Sequence, residues 1–100
     1  MRMTKRRPVS VGEFITEEFL EPMKITQGKL AEAMGVSRKH VNELCNNRRA
    51  ITVDTALMLA KAFGNTADFW LNLQQRNDLW SALNTPKRRK RIDRAKQIAA

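Results

Sequence analysis

The chemistry of this chain is concentrated in "SRKHVNEL", residues 37–44. Counted as the first turns of a helix, the outward positions hold Arg38, Lys39, His40, Asn42 and Glu43, while Val41 and Leu44 turn inward. That is a dense set of hydrogen-bond donors with one acceptor, which is what reading base edges in a major groove requires. Arg38 and Lys39 can donate to guanine O6 and N7, Asn42 can pair with adenine, and Glu43 can accept from cytosine N4. Ser37 suits the cap of that helix, and its hydroxyl with the helix N-terminus favours a phosphate. Gln27, at the start of the preceding helix, is placed for a second phosphate, and Arg48 and Arg49 follow to grip the backbone.

Catalysis and metal binding find little to work with. His40 is the single histidine and Cys45 the single cysteine. No set of cysteines or carboxylates at ligand spacing accompanies them, and no partner is placed to make His40 a general base for Ser37 or Cys45. One cysteine also excludes an internal disulfide, and beside a polar turn it reads as a small hydrophobe rather than a redox sensor. The expectation is a non-enzymatic chain with no cofactor and no metal.

The elements that position the motif are helical. Val11, Ile15 and Phe19 recur every four residues, widened by Phe14 and Leu20, and Pro22 marks the end of that helix. Thr26 caps a second helix with Leu30, Ala31 and Met34 inward; Gly35 supplies a left-handed turn; Ser37 caps the third. Two helices crossing steeply through so short a turn need a small residue at the contact, and Ala31 is that residue. Thr52 opens a fourth helix whose inner face is predicted as Val53, Ala56, Leu57, Ala60 and Phe63, closed by Gly64. Thr66 caps a fifth carrying Phe69, Leu73, Trp80 and Leu83. No segment alternates as a strand would.

The prediction is an all-α, five-helix domain over residues 9–85, with a basic arm at 1–8 and a basic tail at 86–100 that is helical in part. Of a net charge of +9, the arm carries +4 and the tail +6, and residues 27–49 add +3, leaving the rest mildly acidic. Local basic patches on such a domain point to a polyanion, and nucleic acid is the commonest. No apolar run approaches the ~20 residues of a membrane span, and "MRMTKRRPVS" has no apolar core of a secretory signal. The chain therefore reads as cytoplasmic with no membrane partner. Phe69 and Leu73 are assigned to the core. Trp80 and Leu83, late on the last helix, are assigned to a dimer interface that would set two recognition helices ~34 Å apart on an inverted repeat.

"TQGKLAEAMGVSRKHVNEL", residues 26–44, resembles the helix-turn-helix of the phage-repressor, or XRE-like, family. Residues 18–74 are similar to the HigA group of antitoxins, through "EEFLEP" before the motif and "RAITVDTALMLAKAFG" and "FWLNLQ" after it. The chain departs at Asn47, where members often have Gly; asparagine also tolerates a left-handed backbone. The basic tail lies outside the resemblance. What the resemblance implies is a phage-repressor-like DNA-binding fold acting as a dimer. It also implies a RelE-like, HigB-type messenger-RNA endonuclease toxin as partner, and repression of the operon shared with it.

Three rivals remain. A free-standing XRE-type repressor would keep the DNA function without a toxin. A pure protein inhibitor would have acidic or small apolar residues where Arg38 and Lys39 stand. A single-strand RNA binder would interleave aromatic residues with its basic ones, and the basic stretches here contain none. The basic ends themselves read as solvated chain, as DNA arms acting through counterion release, or as segments that dock on an acidic protein.

Overall fold

Every long helix of the domain starts on a hydroxyl. Ser10, Thr26, Ser37, Thr52 and Thr66 each accept from the backbone N–H three residues on, at 3.1–3.2 Å. Each such cap satisfies a donor the helix leaves open and contributes about 1 kcal/mol. The computed structural model describes residues 6–99; Arg2 and Lys5 of the basic arm lie outside the described residues.

Six helices and, among the described residues, no strand make up the chain. α1 starts at Val11–Ile15, passes without a break through a π-helical turn, Thr16–Leu20, and ends as Glu21–Met23. α2 is Gln27–Met34, α3 Arg38–Cys45, α4 Val53–Phe63 and α5 Ala67–Asn84. The tail adds α6, Pro86–Asp93, which opens on the proline and buries no residue. Gly35 and Gly64 end α2 and α4 with φ of 74° and 73°, the left-handed conformation that their lack of a Cβ permits.

The π-turn changes the face that α1 buries. The Glu21 N–H reaches back five residues to the Thr16 carbonyl, and the Ile25 N–H to that of Leu20. Pro22, which has no N–H and crowds the turn before it, is accommodated next to this wider turn rather than ending the helix. The buried row is consequently Val11, Ile15 and Leu20, with a five-residue step, and not the four-residue series through Phe19. Phe19 is half-buried and stacks on Phe63, with ring centroids 4.0 Å apart.

Ile15, Leu30, Val41, Leu44, Leu59 and Trp70 are the largest side chains that are wholly buried. Trp70, rather than Phe69, is the anchor of α5: its ring meets Phe14, Phe19, Phe63 and Phe69, and its Nε1 donates to Asn65 Oδ1 at 2.8 Å. Leu73 is buried as expected, whereas Phe69 lies at the edge of the cluster, about a third exposed.

α4 is also rotated from its predicted setting. Thr55, Ala56 and Leu59 face the core, while Val53 and Leu57 are 60% and 53% exposed. Both faces of this helix are apolar, so hydrophobic spacing alone did not choose between them. Packing against α5 and α2 did.

A candidate nucleic-acid interface on the second and third helices

α2 and α3 are held as one unit. Ala31 is buried at their contact, and after Gly35 the Val36 N–H closes onto the Ala31 carbonyl at 3.0 Å. Val41 and Leu44 root α3 in the core with no exposed surface. Its opposite face then presents Arg38, Lys39 and Asn42, all exposed, with Glu43 half-buried beside them. Among the described residues neither Arg38 nor Lys39 forms a salt bridge, so both guanidinium and ammonium are available.

The remaining predicted contacts are organised by hydrogen bonds. Asn42 Nδ2 donates to Gln27 Oε1 at 3.1 Å, which joins a base-reading candidate to a phosphate-binding candidate across the two helices. Ser37 Oγ accepts from the His40 N–H and keeps its own proton to donate. Glu43 and Arg49 meet at 3.0 Å, and that bond holds the Glu43 carboxyl below its ordinary value. These two candidates for different roles are thus partners in the free chain. Arg48 is exposed beside them.

His40 is half-buried, with its Nε2 enclosed and unpartnered. Desolvation, and next the charge of Arg49, lower its pKa, so that it is neutral near pH 7. The Cys45 thiol is pushed up by burial, only partly offset by its hydrogen bond to Thr16, and is a poor nucleophile there. Among the described residues no three His, Cys, Asp or Glu side chains gather as a metal site would need.

Contacts of two residues, Gly12 and Asn47, that local pattern did not predict fix where α3 sits. A Cβ on Gly12 would lie 2.2 Å from the Cys45 carbonyl oxygen, so α1 meets the end of α3 only because this position is glycine. Asn47, at φ 57°, is left-handed as expected, but its side chain does more. Its Oδ1 accepts from the Gly12 N–H at 2.9 Å and its Nδ2 donates to Ser10 Oγ at 3.0 Å, tying the chain beyond α3 to the N-terminus of α1. The partners are 35 and 37 residues apart, and no spacing rule connects them.

Arg7, of the basic arm, bridges to Glu13 and lines the same polar cleft as Asn47, Arg48 and Arg49. Trp80 lines this cleft too and is half-buried, as is Leu83.

A buried, capped helix crossed by a second through a glycine turn, with its polar face turned outward, defines a helix-turn-helix protein. A helix-turn-helix family model matches residues 17–70. Antitoxin HigA-1 of Vibrio cholerae is 57% identical over 84 residues, which cover 84% of this chain and 79% of that one. Among solved structures, the Pseudomonas aeruginosa antitoxin HigA with the higBA promoter has 33% identity and a TM-score of 0.82, covering 94% of this chain and all of the other. Antitoxin GraA in complex with its operator has 32% identity and a TM-score of 0.85 over the whole of both chains. The chain belongs to the XRE-type helix-turn-helix family and, within it, to the HigA group of antitoxins.

Proposed function

We propose that this chain is the antitoxin of a type II pair that represses its own operon, binding an inverted-repeat operator as a homodimer and holding a RelE-like, HigB-type toxin inactive. It is not an enzyme. The reading rests on one observation above the others: α3 presents Arg38 and Lys39, which form no salt bridge among the described residues, with Asn42 oriented by Gln27, on a helix whose inner residues Val41 and Leu44 are wholly buried. The relatives solved with promoter and operator DNA support DNA binding by this chain. Arg38, Lys39, Asn42 and Glu43 read bases; Gln27, Ser37, Arg48 and Arg49 hold phosphates. Arg7 lines a cleft with Arg48 and Arg49, which favours a DNA role for the arm at 1–8. Among the described residues no helix is long and apolar enough to cross a membrane, and a cytoplasmic location fits an operator-binding chain.

Fluorescence anisotropy of a labelled duplex from the gene's own upstream region, beside a scrambled duplex, tests this. Arg38→Ala should cost about 1–3 kcal/mol on the native duplex and relax one operator position. Arg48→Ala should weaken both duplexes about equally. Equal affinity of the unaltered chain for both duplexes would remove the base-reading role. Co-purification with the product of a neighbouring small reading frame tests the toxin, and its absence would leave a free-standing repressor.

For the two-fold interface the sequence selects Trp80 and Leu83. Both are half-buried within one chain. The more exposed apolar surface lies on α4.

A further inference from the structure

We infer that the polar cleft between α5 and the chain that follows α3 binds a nucleoside monophosphate. The phosphate lies on Arg48 and its neighbouring arginines, and the sugar and base lie against Asp78 and Trp80. The consequence for DNA rests on the proposed function; the binding itself does not.

The cleft has a volume of about 420 Å³, within the range of small-molecule sites. Arg7, Arg48 and Arg49 line it from the segments before α1 and after α3. From α5 come Gln74, Asp78 and Ser81, at four- and three-residue steps that set them on one face of the helix. Asp78 pairs with none of the three arginines. Arg7 turns to Glu13 and Arg49 to Glu43, and among the described residues neither Arg48 nor Asp78 forms a salt bridge. The carboxylate is held instead by Gln74, whose Nε2 donates to Asp78 Oδ1 at 3.0 Å. Gln74 Oε1 in turn accepts from the Ile51 N–H at 2.9 Å, which ties the acid to the segment that carries Arg48 and Arg49. Opposite charges thus share one cleft and are kept apart in it.

A ligand that satisfies both must be anionic at one end and carry hydrogen-bond donors at the other. A nucleoside monophosphate does so. Its phosphate suits a guanidinium, which can bond two oxygens at once. Its ribose hydroxyls and base amino group can donate to Asp78. Trp80 also lines the cleft and offers an aromatic surface to the base. Inorganic phosphate would meet the arginines alone and be repelled by Asp78. A duplex fits worse, because its backbone is convex and its bases are stacked out of reach. Arg48 and Arg49 are also the proposed holders of operator phosphates, so a nucleotide in the cleft and a duplex on α3 use the same guanidinium groups. The nucleotide is therefore a competitor of operator DNA.

Equilibrium dialysis of the full chain against AMP, GMP, CMP and UMP tests the site, with inorganic phosphate and the four nucleosides beside them. At least one nucleotide should bind about tenfold or more tighter than inorganic phosphate and than its own nucleoside. Arg48→Ala and Asp78→Asn should each weaken that binding about tenfold or more. Both positions are exposed, so far-UV circular dichroism should not change. Asparagine keeps the bond from Gln74 and turns its NH2 to the cleft, a donor facing the ligand's donors; inorganic phosphate should bind this variant no more weakly than the unaltered chain. Nucleotides no tighter than inorganic phosphate would overturn the proposal, and so would nucleotide binding that survives both substitutions. Saturating nucleotide should weaken binding of the native duplex, read by anisotropy, about tenfold for the unaltered chain and hardly at all for Asp78→Asn. A nucleotide held in the cleft without effect on the duplex would overturn the competition. A chain that bound no duplex would remove the proposed function and the competition with it, while dialysis would still decide the site.

Discussion

α3 and α6 are both eight residues long and both basic, yet they are built for different work. α3 has a side-chain cap, two residues with no exposed surface, and polar neighbours that orient its outward groups. α6 has no side-chain cap hydrogen bond and buries nothing; Thr85, at its N-cap position, donates back to the Ser81 carbonyl instead. Within α6 only Arg89 and Asp93 form an ion pair, at 3.3 Å, and both are more than half exposed, a geometry worth little. Reading a base edge demands that a donor be held to within a fraction of an ångström. Attracting a phosphate demands only charge. Asn42 and Glu43 of α3 are held by polar partners and α6 offers charge alone, so under the proposed function sequence preference should reside in α3 and general affinity in the tail.

The most disruptive way to break this contrast is to move α3 without touching its outer face. Gly12→Ala places a methyl against the Cys45 carbonyl, which is backbone and cannot turn aside. Overpacking of this kind costs about 1–3 kcal/mol, and the rigid neighbour puts it at the upper end. The melting temperature should fall, and discrimination between native and scrambled duplexes should shrink although every proposed DNA-binding residue is present. Unchanged discrimination with lowered stability would mean that α3 keeps its setting without the close approach to α1.

That glycine also marks how far the sequence could be read. Caps at Thr26, Ser37, Thr52 and Thr66, the glycine turns and the crossing at Ala31 are local, and local patterns predict them. The outward face of α3 was legible for the same reason: Val41 and Leu44 could only point inward, which left Arg38, Lys39 and Asn42 outside. Packing across the fold was not legible. Gly12 against Cys45, and Asn47 against Ser10 and Gly12, join positions more than thirty residues apart. The face of α4 failed differently. Val53 and Leu57 satisfy a helical hydrophobic pattern as well as Ala56 and Leu59 do, and only the presence of α2 and α5 decides which set is covered. The π-turn in α1 was hidden because one extra residue shifts a four-residue series to Leu20 without leaving a mark in composition.

Removing residues 86–100 sharpens the contrast from the other side. It takes away six net positive charges and, among the described residues, no buried one. If α6 touches phosphates, binding should weaken by similar factors on native and scrambled duplexes. The plot of log affinity against log salt should also flatten, by about 0.9 for each phosphate the tail had neutralised. Stability should hardly change. An unaltered slope would place the tail on a protein partner instead, and a selective weakening on the native duplex would give α6 a share in reading sequence.

The smallest expected effect separates the two helices by pH. His40 has its pKa lowered in the folded chain, chiefly by desolvation. As pH falls through the ordinary histidine value of about 6.5, the unfolded chain takes up a proton that the folded chain resists, so stability present above that range is lost below it. Between pH 7.5 and 5.5 the melting temperature should fall more for the unaltered chain than for His40→Gln. The cause lies at α3, where the enclosed Nε2 has no partner, and Arg49 beyond the helix adds to the cost of a second positive charge. α6 contains no histidine. Native-duplex preference should therefore weaken at the lower pH while the tail's contribution, read from the salt slope, stays constant. Equal falls in melting temperature for the unaltered chain and His40→Gln would mean that the imidazole protonates in the folded state without cost, and that α3 is less tightly seated than its buried face indicates.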